Sequence, residues 1–229
     1  MKINILTLYP EMFPGCLGYS LAGKALKEKK CELNVVNIRD FATDNYKSVD
    51  DTPFGGGAGM VMRPDVLDRA IAFVYKTGPI YYLSPRGVVF NQRKAHEFAD
   101  YEEMTFLCGR FEGVDERILE KWQINEISIG DFVLSGGEPA LLTLLDAVIR
   151  LLPSVMGNKD SSLEESFENG LLEYPQYTKP QNFENRLVPE VLLSGHHAKI
   201  NAWRLAQSEE LTQKRRPDLW TKYLAQKKN

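Results

Sequence analysis

Three short stretches bring glycine and other small residues to places where a chain would leave a strand. They are Leu83-Ser84-Pro85-Arg86-Gly87, Cys108-Gly109-Arg110-Phe111-Glu112-Gly113 and Val133-Leu134-Ser135-Gly136-Gly137-Glu138. Glycine lets backbone approach closely, and the N–H and C=O groups of such turns must find partners. Each stretch alone is an ordinary connection. Three of them on one edge of a sheet make a binding site, because open α/β sheets take ligands beyond the carboxyl ends of their strands. The missing motifs bound the ligand. The glycine pair at 136–137 is not the GxGxxG of dinucleotide sites, and no GxxxxGK[ST] supplies the lysine an NTP needs. Backbone-rich turns without a phosphate signature suit an adenosine ligand lacking a long phosphate chain. S-Adenosyl-L-methionine is one such ligand, and spacing alone does not select it.

The turns need elements to hold them. Residues 3–8, 33–38, 80–83, 104–108 and 127–134 read as strands, and 19–29, 64–75, 91–98, 114–122 and 139–152 as helices. Pro64 suits a first helical turn. Asp115 and Glu116 suit the helix end that favours anions. Leu141, Leu144, Leu145, Val148, Leu151 and Leu152 follow the 3.6-residue period. Alternating strands and helices predict an α/β fold with a parallel sheet. The apolar strands 80–83 and 104–108 fit positions covered on both faces. Between 50 and 59, Gly55, Gly56, Gly57 and Gly59 preclude a regular element, so a loop is expected. Past Pro153 the pattern changes. Residues 157–168 (GNKDSSLEESFE) are polar and aperiodic, and read as a mobile linker. Beyond them no strong strand is expected, and short helices at 189–193, 197–207 and 217–226 would form a small helical domain.

Composition narrows the class. Hydrophobic residues at 43% and charged residues at 26% are ordinary for a soluble globular protein, so neither a fibrous nor a disordered chain is indicated. No apolar run is long enough for a membrane span, and the amino-terminal run is too short for a signal peptide. Cys16, Cys31 and Cys108 are scattered without a C-x-x-C pair, and His96, His196 and His197 complete no ligand set. Reduced thiols in a cytoplasm are expected, with no metal site indicated. The net charge of −3 hides an asymmetry: residues 196–229 carry +5, the rest −8. A basic tail on an acidic body points to a polyanionic partner.

Six motifs sharpen this picture: DDTPFGGGAGM (50–60), YLSPRG (82–87), LCGRFEGVDER (107–117), SIGDFVLSGGE (128–138), LLSGHHAKINAWR (192–204) and RRPDL (215–219). In order and spacing they resemble the bacterial tRNA (guanine-N1)-methyltransferases of the TrmD family, in the knotted SPOUT class. The resemblance spans nearly the whole chain. It implies a knotted S-adenosyl-L-methionine-binding catalytic domain over 1–156, a linker carrying the candidate base over 157–168, and a helical tRNA-binding domain over 169–229. It also implies a trefoil knot at the sheet's carboxyl edge and a homodimer whose sites use both subunits. The substrate would be the guanine immediately 3′ of the anticodon (position 37) in tRNA. The cofactor would be held by Tyr82, Leu83, Ser84 and Pro85, by Gly109, Phe111 and Glu112, and by Ile129, Gly130, Asp131, Phe132, Val133, Leu134, Gly136 and Gly137. Gly55 and Gly59 would lie near the target guanine. Lys199, Arg204, Lys214, Arg215 and Arg216 would contact RNA phosphates, which position RNA without reading sequence.

The reaction sets two further requirements. Guanine N1 carries a proton, so a base must remove it, and the charge growing on the neighbouring oxygen must be held. By the resemblance these roles fall to Glu165 and Arg150, with Glu164 as an adjacent alternative base. Mg2+ is implied by the family, though no metal signature appears here. The chain departs from the family at several points. Glu165 stands where relatives mostly have Asp, Phe54 and Phe111 where Tyr is more usual, and His196 where Asn is common. The change at 165 alone favours a second reading, an inactive RNA-binding relative on the same scaffold. Asp50 and Arg110 are candidates for the tRNA or cofactor site, with surface ion pairing as the alternative.

Overall fold

The apolar runs pair into one parallel sheet. In the computed structural model, which describes residues 1–156 and 164–227, the strands of the first part are β1 (Lys2–Thr7), β2 (Glu32–Asn37), the short pair β3 (Asp50–Asp51) and β4 (Val61–Met62), β5 (Ile80–Val89), β6 (Glu103–Leu107) and β7 (Asn125–Ser128). The main sheet has the order β2-β1-β6-β5-β7, with every neighbouring pair parallel. Its helices are α1 (Ser20–Lys27), α2 (Pro64–Val74), α3 (Gln92–Ala99), α4 (Glu116–Lys121) and α5 (Gly137–Ile149).

Strand alternation decides which helix covers which face. Ile3, Ile5, Tyr81, Leu83, Met104 and Phe106 pack with Ala22 and Ala25 of α1, Phe98 of α3 and the leucines of α5. Leu6, Ile80, Tyr82 and Leu107 point the other way, onto Leu67 and Ile71 of α2 and Leu119 of α4. Fully burying each such side chain contributes roughly 1.5–3 kcal/mol. Side chains cap two of the helices: Asn91 accepts from Lys94 N at 3.0 Å, and Asp115 from Arg117 N at 3.0 Å.

The strand expected over 127–134 ends at Ser128. Gly130 takes φ +149, and Ser128 Oγ accepts from Gly130 N at 3.1 Å, turning the chain out of the sheet. In the opposite sense, β5 outruns the expected 80–83 and reaches Val89, interrupted by a loop: Ile127 pairs with both Leu83 and Val88, so residues 84–87 bulge out. A side chain at Gly87 would strike the backbone of Glu126 and Ile127, which is why this bulge closes on glycine.

The chain divides into two compact units, Met1–Gly157 and Asn158–Asn229. The expected linker lies outside the described residues over 157–163; residues 164–168 form turns. The second unit holds α6 (Glu190–Leu193), α7 (His197–Arg215) and α8 (Pro217–Lys227). It also contains an antiparallel hairpin of β8 (Asn182–Phe183) and β9 (Arg186–Leu187), which adds short strands to the expected helices. Two-residue strands show no readable alternation, and its turn uses Glu184 and Asn185 at φ 52 and 65 rather than an Asn-Gly pair. Helix α7 runs past the expected 207 because nothing breaks it before Pro217. Polar side chains fix it: buried Thr212 donates Oγ1 to Ser208 O at 2.6 Å and accepts from Leu172 N at 2.8 Å.

Candidate active site

The carboxyl ends of β5, β6 and β7 open into a cavity of about 240 Å3. Its walls follow from the three glycine turns. The bulge at 84–87 forms one wall. Arg86 pins it by donating to both oxygens of Glu126 at 3.0 and 3.1 Å and to Glu116 at 3.0 Å. The turn after β6 forms a second wall, with Phe111 at φ 59 and Gly113 at φ 127. Residues 129–136 form the third. They leave β7 at the sheet edge and return toward β6, where Gly137 N donates to Gly109 O at 3.0 Å.

The cavity is lined by Tyr82, Leu83, Ser84, Pro85, Gly109, Phe111, Glu112, Ile129, Gly130, Phe132, Val133, Leu134, Gly136 and Gly137. Those are the residues expected from the sequence, except Asp131, which is exposed and off the lining. Arg110, Gly113, Ser128 and Ser135 also line it. Had the strand been ended at the Gly130 breaker, Ser128 would have been legible as part of the rim.

The glycines serve packing in an unexpected direction. A side chain at Gly109 would meet the Tyr82 ring, one at Gly136 the Arg110 guanidinium, and one at Gly137 would lie 2.9 Å from Cys108 Cα. The missing side chains therefore let protein segments close on one another. Backbone edges and the apolar side chains Leu83, Pro85, Ile129 and Leu134 are left facing the cavity. This composition fits an adenosine group: flat apolar contact with backbone donors and acceptors at its edges. Cys108, fully buried beneath the floor, has its thiol pushed well up by burial and then by Glu138, so it stays protonated.

The glycine loop at 55–59 meets this site at Glu112. Gly55 (φ +89) faces open space, whereas a side chain at Gly59 (φ +88) would collide with the Glu112 carboxylate. Glu112 N also donates to Met60 O at 2.9 Å. The loop is thus tied to the cavity wall at one end and open at the other. Asp50, in β3, pairs across to Met62 of β4.

Arg150 caps the carboxyl end of α5, where a cation complements the helix dipole. Glu165 lies in the second unit and lines a shallow cavity of about 160 Å3 with Asn201 and Arg204. Glu164 beside it lines the same cavity. Its Oε2 accepts from Tyr174 Oη at 2.6 Å and Arg204 Nη1 at 3.1 Å, and the Arg204 guanidinium stacks 4.7 Å over the Tyr174 ring. Arg216 is likewise held, donating to Asp218 at 2.8 and 2.6 Å. Lys199, Lys214 and Arg215 are exposed and form no ion pair among the described residues. No group of three or more His, Cys, Asp or Glu side chains converges among the described residues as a metal cage. No described helix is long and apolar enough to cross a membrane.

The family model described as tRNA (Guanine-1)-methyltransferase TrmD matches residues 1–222. The chain belongs to this family. A tRNA (guanine-N(1)-)-methyltransferase of Rhodospirillum rubrum is 59% identical over 226 residues, covering 98% of this chain and 95% of the relative. Relatives of the same name from Mesorhizobium japonicum and Bartonella tribocorum are each 60% identical, over 95% and 97% of this chain and 95% and 96% of their own. Within this TrmD-family chain, the RRPDL motif shows a local job for one arginine. Hydrogen bonding from Arg216 depresses the Asp218 carboxyl to about 2. The pair is therefore fully present above the ordinary carboxylate pKa of ~3.9 and is lost only as pH falls through the depressed value. An NMR titration of Asp218 is expected to show that low midpoint, and Arg216→Gln to return it toward the ordinary range. An ordinary midpoint in the wild type would mean Arg216 is not committed to this pair.

Proposed function

We propose that this chain is a tRNA (guanine-N1)-methyltransferase that modifies the guanine immediately 3′ of the anticodon, using S-adenosyl-L-methionine held in the cavity beyond β5, β6 and β7. One observation carries the reading: a backbone-rich, phosphate-motif-free cavity at the carboxyl edge in a chain 59% identical to a protein of that name over nearly its full length. The bound donor supplies an electrophilic methyl group, so the chain's own task is alignment and proton handling. Leu83, Pro85, Ile129 and Leu134 bound the adenosine and exclude water, while the backbone of 133–137 and 109–113 meets its polar edges. Glu165 removes the N1 proton, and Arg150 holds the charge that grows on the guanine oxygen. A free Glu has a pKa of ~4.3, far below guanine N1, so proton loss depends on the arginine acidifying the base. For the magnesium implied by the family, no group of three or more His, Cys, Asp or Glu side chains converges among the described residues.

The return of the chain from β7 to Gly109 supports a trefoil knot at this edge. Exposed Phe132, Val133 and Leu134 support a homodimer covering the loop that carries them. Residues 1–156 form the knotted catalytic domain in this reading, and 169–229 the tRNA-binding domain. There a long helix with exposed Lys199, Lys214 and Arg215 suits a charged partner. Lys199, Lys214 and Arg215 are the first candidates for phosphate contacts, and Arg204 and Arg216 must exchange acidic partners to join them. The chain works in the cytoplasm, where its substrate is found.

Gly136→Val is expected to weaken donor binding by roughly tenfold or more, because the new side chain displaces Arg110 and reshapes the wall at 135–137. Unchanged calorimetric affinity would remove that wall from the site. The function itself is tested by methyl transfer. Purified protein with labelled donor is expected to label a tRNA transcript carrying the guanine and to leave one with adenine there unlabelled. Absence of label on both transcripts would leave the inactive relative as the better reading.

A further inference from the structure

A buried charge network lies directly behind the wall at 135–137. Glu138, in the first turn of α5, is 0% exposed. Its Oε1 accepts from Thr7 Oγ1 at 2.7 Å. Its Oε2 lies 2.9 Å from Arg110 Nη2 and takes no aligned hydrogen bond, so charge alone holds it. Arg110 Nη1 donates to Ser135 O at 3.0 Å. The guanidinium carbon sits 4.4 Å over the Tyr9 ring, and Nη2 lies 3.7 Å from Met12 Sδ. Thr7, also fully buried, closes the chain by accepting from Tyr9 N at 3.0 Å.

These contacts join the end of β1, the turn after β6, the 135–136 turn and the start of α5. Arg110 crosses Gly136 where any side chain would block it. A carboxylate this deep is stable only while its partners hold it, and only a planar fork reaches both Ser135 O and Glu138 from one side chain. Ser135 and Gly136 line the cavity, whereas Thr7 and Glu138 do not.

We propose that Glu138 and Thr7 are positioning residues for the methyl donor, acting through Arg110 to hold the wall at 135–137 in its binding shape. The proposal rests on the donor reading above and deepens it, placing part of the donor's affinity on a β1 side chain outside the cavity.

Thr7 gives the cleanest test, since Thr7→Val keeps the shape and deletes the hydroxyl, while Thr7→Ser keeps the hydroxyl. Calorimetric titration of the full chain with S-adenosyl-L-methionine is expected to show Kd raised about fivefold by Thr7→Val, close to wild type for Thr7→Ser, and raised at least about tenfold by Arg110→Lys. In steady-state transfer, donor KM is expected to rise more than kcat falls, with tRNA KM unchanged. A general loss of folding would move both substrates together. Donor Kd equal to wild type in folded Thr7→Val and Arg110→Lys would overturn the proposal; if the lysine variant fails to fold, Thr7→Val alone decides. Wild-type protein that binds no donor would instead overturn the cofactor reading, and this inference with it.

Discussion

Glu165→Gln is expected to slow single-turnover methyl transfer at least tenfold, and by roughly 10²–10⁴-fold if the base has ordinary efficiency. The substitution preserves shape and, in the proposed mechanism, removes the ability to take the N1 proton. Donor affinity should change little, because Glu165 is not among the residues lining the proposed donor cavity. The neighbouring carboxylate supplies the control. Glu164 accepts from Tyr174 and Arg204, and if Glu165 is the base, Glu164→Gln should cost far less than its neighbour. Near-normal rates for Glu165→Gln, with a large loss for Glu164→Gln, would reverse the assignment. The comparison also bears on the family departure at this position, since Glu adds a methylene to the usual Asp. Glu165→Asp should remain active if backbone movement can absorb that difference.

Arg150→Met is expected to lower the same rate by roughly 10²–10³-fold, the usual loss when a donor aimed at a developing oxyanion is removed. Arg150→Lys should fall between, keeping the charge and losing the planar fork. In the proposed role the effect of Arg150 on rate exceeds its effect on stability. At the end of α5 a cation adds about 0.3–1 kcal/mol through the helix dipole. Melting temperature should therefore move by only a few degrees while the rate collapses. A rate loss that tracked a large loss of stability would make Arg150 a structural cap.

The fold was legible wherever burial imposed a period. The run 139–152 showed its leucines at helical spacing and is α5 for most of its length. Residues 104–108 showed an apolar run, and β6 spans Glu103–Leu107. It was least legible where tertiary contacts override local preference. Phe132, Val133 and Leu134 look like strand residues, yet Gly130 turns them out of the sheet into the cavity wall. The 84–87 bulge within β5 depends on Ile127 pairing twice, which no local pattern announces. The site was legible in residue type: the glycine turns are where the cavity forms. Their reason was not, since Gly136 makes room for Arg110 rather than for a ligand. The Thr7–Glu138 contact joins residues 131 apart in sequence, a pairing only folding reveals.

The most direct test of the central claim is a crystal structure of the full chain grown with S-adenosyl-L-methionine. The adenosine is expected between Leu83–Pro85 and the 129–137 loop, with backbone of 133–137 at the adenine edge and the methyl group facing out of the cavity. Donor density at another surface, or this cavity closed against it in crystals that hold the donor, would contradict the account.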